Sequence, residues 1–228
     1  MTLLALFDVD GTLLLSDDPV AGEAFVGALH DCYPVDPPLD AVAGTDHPGQ
    51  TAQRIARLVL RNERLADAEI DEHLVAWCSR FGKRYVELLD ETDTSRWHGA
   101  PGAAEALSRI EQGGIQLALL TGNPEPMARA RMERLGLAAF FPKGRGAFGC
   151  DAEERVELLG IARERAGNWP AGRTVEIGDT LRDVESAHAA GVRSIAVRSP
   201  RSRDEFPDAD AVCDDLAAVA DRLLAWNR

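Results

Sequence analysis

Phe7-Asp8-Val9-Asp10-Gly11-Thr12-Leu13 contains two carboxylates separated by one residue and followed by a glycine. The preceding segment, Leu3 to Phe7, is almost continuously apolar, which is typical of a short strand buried on both faces of a parallel sheet. Residues two apart on a strand share a face. Asp8 and Asp10 are therefore predicted to meet one ligand where this strand ends. The alternative is an acidic turn without function, because Asp-Gly turns are common.

Further apolar runs alternate with helical patterns along the second half of the chain. The runs predicted as strands are Ile115–Leu120, Thr174–Ile177, Ser194–Val197 and Ala211–Cys213. The helical patterns cover 103–112, 151–166, 181–187 and 216–223, the second opening with Asp151 and Glu154 in capping-box spacing. This alternation predicts an α/β fold with a doubly wound, mainly parallel sheet and a Rossmann-like core. Ligands of such sheets bind at the carboxyl ends of the strands.

The stretch between Ser16 and Trp97 has no strand pattern. A helical stripe recurs at Leu74, Trp77, Cys78, Phe81, Tyr85 and Leu88. We therefore predict an α/β core from residues 1–15 and 98–228, with a helical cap inserted at 16–97. An insertion directly after the first strand lies above the strand ends, where it would act as a lid.

A second acidic pair follows another predicted strand. Asp179 comes directly after Thr174–Gly178, and Asp183 lies four residues later. Residues four apart on a helix share a face, so both carboxylates could face a cation at the sheet edge. The alternative is helix capping by Asp179 with a favourable dipole contact from Asp183. Clustered carboxylates repel one another unless a cation compensates, and Mg²⁺ prefers such oxygen ligands.

The third polar strand end is Thr121-Gly122-Asn123-Pro124. A hydroxyl group and backbone N–H groups at the start of a helix suit a phosphate. Gly122 and Asn123, together with Gly11 and Thr12 in the first loop, are the candidate phosphate-binding residues. An ordinary turn with an asparagine cap is the alternative.

Composition narrows the classes of partner. The chain has 228 residues, 25 basic and 38 acidic, which gives a net charge of −13. Nucleic acid and anionic membrane surfaces are disfavoured, because both attract clustered Lys and Arg. No apolar run approaches the roughly 20 residues that span a bilayer, and the start of the chain lacks the basic residues of a secretory signal. Four widely spaced cysteines predict reduced thiols in a cytoplasmic protein.

Asp8 and Asp10, then Thr121, then Asp179 and Asp183 occur in this order, each group at a predicted strand end. In this the chain resembles the haloacid dehalogenase superfamily, and among its capped phosphatases the phosphoglycolate-phosphatase-like branch. The resemblance implies that Asp8 is a nucleophile forming an aspartyl-phosphate and that Asp10 is the acid/base. It further implies that Thr121 holds the phosphoryl group. The implied Mg²⁺ ligands are Asp8, the carbonyl of Asp10, and Asp179, with Asp183 binding through water or orienting the others.

The resemblance also implies a Lys, or less often an Arg, near the start of the helix that follows the third strand of the superfamily's sheet. Arg155 is the preferred candidate, since a guanidinium can bind phosphate and carboxylate together, and Lys143 is its rival. The function implied is Mg²⁺-dependent hydrolysis of a small phosphorylated metabolite, either phosphoglycolate-like or a sugar phosphate. A sugar-phosphate mutase using the same acids and a catalytically silent binding module on the same fold are the alternatives.

Overall fold

The computed structural model describes residues 2–201 and 205–228, which form a six-stranded sheet flanked by helices. The strands are β1 (Leu4–Phe7), β2 (Gln116–Thr121), β3 (Ala147–Phe148), β4 (Thr174–Gly178), β5 (Arg193–Val197) and β6 (Ala211–Cys213). The α-helices are α1 (Ala21–Cys32), α2 (Ala52–Asn62), α3 (Asp67–Asp90), α4 (Ala103–Gln112), α5 (Glu125–Arg134), α6 (Arg155–Arg165), α7 (Leu181–Ala189) and α8 (Leu216–Trp226). All five strand pairs are parallel, in the order β3-β2-β1-β4-β5-β6. This confirms the predicted doubly wound α/β fold.

β1 lies in the middle of the sheet and sets the position of its neighbours. Phe7, its last residue, is level with Leu119 of β2 and with Ile177 of β4. The three strands therefore end at the same edge of the sheet, with β2 continuing two residues beyond this level to Thr121. The polar strand ends identified in the sequence meet there.

Both faces of the sheet are buried, as the unbroken apolar character of β1 predicts. Leu4 and Leu6 belong to an apolar cluster with residues of α6 and α7. Ala5 and Phe7 belong to another, with residues of α4, α5 and α8. Alternate side chains of one strand thus join the two helical layers to the sheet.

The segment between β1 and α4 forms α1, α2 and α3 around a separate apolar cluster. At its centre the ring of Phe25 makes edge-to-face contacts with Trp77 and Phe81, with ring centroids 5.1 and 5.5 Å apart. The two connections to the rest of the chain run side by side, since Leu15 N–H donates to His98 C=O and Ala100 N–H to Leu13 C=O. The predicted boundaries, 15 and 98, fall within this pair of connections.

Two of the four cysteines are paired, which makes the prediction of reduced thiols wrong for them. Cys78 of α3 and Cys150, after β3, form a disulfide with Cα atoms 5.8 Å apart. Cys32 and Cys213 are free. The bridge connects the α1–α3 segment covalently to a loop of the sheet domain across 72 positions of sequence. Among the described helices, none is long and apolar enough to cross a membrane.

The predicted start of the helix at Asp151 is also wrong. α6 begins at Arg155, and Glu154 precedes it without a side-chain cap. Asp151 instead closes the turn after β3, where its carboxylate accepts from Phe148 N–H at 2.9 Å and its N–H donates to Phe148 C=O. This local hydrogen bonding competes with helix formation, so α6 begins at Arg155 and not at Asp151.

Candidate active site

The loop after β1 brings Asp8 against β4. Asp8 N–H donates to Ile177 C=O at 2.9 Å, which extends the β1–β4 ladder by one residue. The chain then turns at Gly11, whose φ of +78° lies in the left-handed region. A Cβ atom at this position would overlap the Asp179 carboxylate. Glycine is therefore required both for the turn and for the approach of the second acidic strand end.

Asp8, Asp179 and Asp183 form one buried cluster, with a carboxylate oxygen of each within 4.8 Å of the others. Burial raises the pKa of Asp8 well above 3.8, and the charges of Asp183 and Asp179 add to this effect against the opposing charge of Arg155. Burial and the neighbouring Asp183 raise the pKa of Asp179 to about 7. Three acidic groups this close therefore resist ionisation together.

A divalent cation fits this cluster. Asp179 Oδ1 is buried and accepts no hydrogen bond from any residue that the structure describes, although buried carboxylate oxygens are nearly always paired. The donor set consists of hard carboxylate oxygens, which Mg²⁺ prefers. Three of the four residues predicted as metal ligands, Asp8, Asp179 and Asp183, thus lie together, whereas Asp10 is not part of the cluster.

Arg155 supplies the positive charge at the cluster. Its side chain is 5% exposed, donates to Asp183 Oδ1, and lies 3.8 Å from Asp8 Oδ1 and 3.4 Å from Glu176 Oε1. Burial lowers the pKa of Arg155, but the three surrounding carboxylates outweigh it and hold the pKa above its usual value. Its rival, Lys143, lies exposed in the turn before β3. Of the two candidates for the basic position, Arg155 is the one that lies at the carboxylate cluster.

Asp183 is held in place by the start of α7. Its Oδ2 accepts from Thr180 N–H at 2.8 Å and from the Thr180 hydroxyl at 2.7 Å, while Thr180 is the N-cap of the helix. The alternative in which Asp179 caps this helix is wrong, since Thr180 takes that role. Asp179 precedes the helix and is left to face Asp8.

The loop after β2 completes the edge of the site. Thr121, Gly122 and Asn123 all line the cavity next to Asp8. Asn123 does not cap α5, whose N-cap is Pro124; instead its amide donates to Asp10 Oδ2 at 2.6 Å and to the Thr121 hydroxyl at 3.1 Å.

Thr12, the remaining candidate for phosphate binding, is 1% exposed and is not among the residues that line the cavity. Its hydroxyl makes no hydrogen bond within the described part of the chain.

Asp10 has a second partner that the sequence did not indicate. Arg131 of α5 donates to Asp10 Oδ2 at 2.7 Å and to Asp18 Oδ2 at 2.6 Å, and its guanidinium lies over the ring of Tyr85. Arg131 stands in the segment Ala130-Arg131-Met132-Glu133-Arg134, whose charges are typical of an exposed helix face. No local pattern could have revealed that this arginine is buried.

The cavity above the carboxylates has a volume of about 580 Å³, within the range of small-molecule sites. Its floor is the sheet edge, and its opposite wall comes from the α1–α3 segment. The apolar side chains of this wall are Phe25, Val42, Ile55 and Phe81, joined by Met127 of α5. His47, in the loop before α2, and Arg201, after β5, also line the cavity.

Backbone hydrogen bonds hold the start of α2 on the sheet domain. Ala52 N–H donates to Gly122 C=O at 2.7 Å, and Gln53 N–H to Gly149 C=O at 3.2 Å. The Thr51 hydroxyl donates to Glu153 C=O at 2.6 Å. The cavity is thus covered from the side of the α1–α3 segment.

Comparison with known proteins gives concordant results. A family model of haloacid dehalogenase-like hydrolases matches residues 3–191. A phosphoglycolate phosphatase of Agrobacterium fabrum is 28% identical, with 97% of this chain and 92% of that protein covered. An N-acetylmuramic acid 6-phosphate phosphatase of Pseudomonas aeruginosa is 31% identical, with 96% and 95% covered. The crystal structure of CbbY from Rhodobacter sphaeroides in complex with phosphate has the same fold, with a TM-score of 0.66, 22% identity and 96% of both chains covered.

Proposed function

This chain belongs to the haloacid dehalogenase-like hydrolase family, and from that premise we propose that it is a Mg²⁺-dependent phosphatase working through an aspartyl-phosphate on Asp8. Membership confirms the resemblance seen in the strand ends and makes the chain a hydrolase of phosphate esters. The observation that carries the finer proposal is the cluster of Asp8, Asp179 and Asp183 beside the cavity, in which Asp179 Oδ1 accepts no hydrogen bond from the described residues.

Mg²⁺ would be held by Asp8, the carbonyl of Asp10, and Asp179. Asp183 would act by orientation, because its oxygens already accept from Thr180 and Arg155. When bound, the ion supplies positive charge that lets Asp8 and Asp179 ionise together and offsets the charge of the phosphoryl group. Arg155 would add a fixed positive charge 3.8 Å from Asp8 Oδ1.

The proposed reaction has two steps. In the first, a carboxylate oxygen of Asp8 attacks phosphorus, the P–O bond to the leaving group breaks, and Asp10 gives a proton to the departing oxygen. In the second, Asp10 takes a proton from water, the water oxygen attacks phosphorus, and the bond to Asp8 breaks to release phosphate. Covalent catalysis of this kind divides one difficult displacement into two easier ones.

The surrounding groups would hold the phosphoryl oxygens in line for attack. Thr121, Gly122 and Asn123 line the cavity beside Asp8, and the Asn123 N–H donates to the Thr121 hydroxyl at 3.3 Å. Gly11 also lines the cavity, but its N–H donates to Leu14 C=O at 2.8 Å. The first loop would therefore contribute through the backbone of Thr12, whose side chain is buried. Donors fixed before the reaction stabilise the developing charge without reorganisation.

Residues 16–97 would act as the cap of this enzyme. They supply most of the cavity wall that faces the carboxylates, and their connections to the core run side by side at residues 13–16 and 98–100. A cap in this position would exclude water during phosphoryl transfer and select the group attached to the phosphate.

The substrate would be a small phosphorylated metabolite, phosphoglycolate-like or a sugar phosphate. A cavity of about 580 Å³ accommodates either. Its apolar wall gives the leaving group carbon surface to contact, whereas the charged groups lie at the floor. The two relatives described above are named as phosphatases of phosphoglycolate and of N-acetylmuramic acid 6-phosphate. Both compounds therefore belong in the test panel.

The test is phosphate release from such a panel, with p-nitrophenyl phosphate included, in Mg²⁺ and in a chelator. We expect Mg²⁺-dependent release that Asp8→Asn abolishes. Asp17→Asn is the matched control, because Asp17 is an exposed carboxylate at the same cavity. Full activity in the chelator or in Asp8→Asn would contradict the mechanism. Conversion of a hexose 1-phosphate to an isomeric sugar phosphate, without free phosphate, would indicate a mutase instead.

A further inference from the structure

Arg131 is the most completely buried charged side chain beside the cavity that has no role in the mechanism above. It is 2% exposed, and its partners are Asp10, Asp18 and Tyr85. Nη1 donates to Asp10 Oδ2 at 2.7 Å, while Nε and Nη2 donate to Asp18 Oδ2 at 3.0 and 2.6 Å. The Tyr85 hydroxyl donates to the same Asp18 oxygen at 2.6 Å.

One carboxylate would suffice to neutralise this arginine. Burial of a guanidinium is costly unless it is paired and hydrogen-bonded, and Asp18, only 5% exposed, already provides a partner with two hydrogen bonds. The remaining nitrogen is used for Asp10, whose side chain is 37% exposed at the cavity. The contact with Asp10 therefore adds something beyond the neutralisation of Arg131.

That contact fixes which oxygen of Asp10 faces the cavity. Arg131 Nη1 and Asn123 Nδ2 both donate to Oδ2, at 2.7 and 2.6 Å. Two donors on one oxygen hold the plane of the carboxyl group and leave Oδ1 for the substrate side, where Arg201 Nη1 is 4.0 Å away. Oδ1 is thus the atom that can exchange a proton with a bound ester.

We propose that Arg131 is a positioning residue that directs Asp10 Oδ1 toward the leaving oxygen and ties this orientation to the cap through Asp18 and Tyr85. The inference rests on the proposed function, since it takes Asp10 as the acid/base. Asp18 lies in the connection between β1 and α1, and Tyr85 lies on α3. The guanidinium of Arg131, which projects from α5 of the core, therefore contacts the loop after β1, the connection to α1 and the cap helix α3.

A positioning role and a merely structural role of Arg131 predict different effects of the leaving group on kcat/KM. An alkyl phosphate needs a proton from Asp10 as the P–O bond breaks, whereas p-nitrophenolate departs without one. kcat/KM covers the steps up to the departure of the leaving group and excludes the later attack by water. A misdirected Asp10 therefore lowers kcat/KM for the alkyl ester selectively, while a loosened fold lowers it for both esters.

The experiment measures kcat/KM of Arg131→Lys with p-nitrophenyl phosphate and with the best alkyl phosphate of the panel. Lysine keeps the charge but lacks the fork that reaches two carboxylates. We expect the alkyl ester to lose about 10- to 100-fold, the range for a misplaced general acid, and the aryl ester less than about 3-fold. Tyr85→Phe, which removes a donor to Asp18 and an acceptor of Arg131 Nε, is expected to show the same selectivity at about 3- to 10-fold.

Arg129→Lys is the matched control, because Arg129 lies on the same helix and contacts Glu125 and Phe141 C=O outside the cavity. It should leave the ratio of the two esters unchanged. Equal losses for both esters in Arg131→Lys and Tyr85→Phe, or no loss in either, would overturn the positioning role while the proposed function stands. A wild-type protein that releases phosphate from neither ester would overturn both.

Discussion

The ionisation of Asp179 should make the metal-free protein less stable as the pH rises. Burial and the neighbouring Asp183 raise the pKa of Asp179 from 3.8 to about 7. A group whose pKa is higher in the folded state stabilises the fold below its unfolded pKa and loses this contribution as the pH passes its folded pKa. For these two values the free energy of unfolding falls by about 3 kcal/mol between pH 5 and pH 8. The raised pKa of Asp8 acts in the same direction.

Urea unfolding, followed by the fluorescence of the four tryptophans, measures this at several pH values in a chelator. Asp179→Asn removes the titrating group, so the wild type should lose about 3 kcal/mol more than the variant between pH 5 and pH 8. Asp46→Asn, at an exposed carboxylate paired with Arg182, controls for the loss of a charge. Mg²⁺ should restore the stability of the wild type at pH 8 and have little effect at pH 5, because the metal binds the deprotonated ligands.

If the free energy of unfolding changed equally with pH in the wild type and in Asp179→Asn, the reasoning would be refuted. The Asp179 carboxyl group would then have the same pKa in the folded and unfolded states. An equal effect of Mg²⁺ at pH 5 and pH 8 would refute the link between ionisation and metal binding.

Two further predictions follow from the backbone and the disulfide. Cys78→Ser should lower the free energy of unfolding in urea titrations by about 4 kcal/mol, which is the loop-closure estimate for 72 positions. Cys32→Ser, at a free cysteine, should change it little. Equal effects of the two substitutions would contradict a stabilising disulfide. Gly11→Ala should weaken Mg²⁺ binding in calorimetric titrations, because its Cβ displaces the Asp179 carboxylate. Gly102→Ala has a similar positive φ but open space around it, so unchanged Mg²⁺ affinity in both variants would contradict this explanation.

Five of the six strands could be predicted from the sequence because their apolar runs are local signals, whereas β3, only two residues long, was missed. The apolar run before Asp8 and the run before Asp179 each mark a buried strand and its last residue. Parallel pairing then requires that these ends meet at one edge. The carboxylate cluster was therefore accessible without any knowledge of long-range contacts.

The features that were missed depend on contacts between distant parts of the chain. Cys78 and Cys150 are 72 positions apart, and nothing near either residue indicates the other. Arg131 lies in a highly charged helix and becomes buried only because Asp18 and Tyr85 approach from another segment.

The first residues of helices were hard to predict for a different reason: neighbouring polar side chains compete for the capping position. Asp151 bonds back to Phe148 and so does not cap α6. Thr180 caps α7 and leaves Asp179 to the cluster. In the first case the aspartate has a partner three residues earlier, and in the second the neighbouring threonine takes the capping position. Propensity alone does not decide between such alternatives.

The most direct test of the account is to trap the covalent bond between Asp8 and phosphorus. Asp10→Asn should form the aspartyl-phosphate from p-nitrophenyl phosphate, whose leaving group needs no proton, but fail to activate water. The intermediate should therefore accumulate with this substrate and Mg²⁺. Reduction with borohydride then converts the acyl phosphate to an alcohol, which peptide mass spectrometry locates. The account predicts reduction at Asp8 that depends on both Mg²⁺ and substrate. Phosphate release from the wild type, with Asp8 unmodified in the trapped variant or with the modification at another residue, would contradict it.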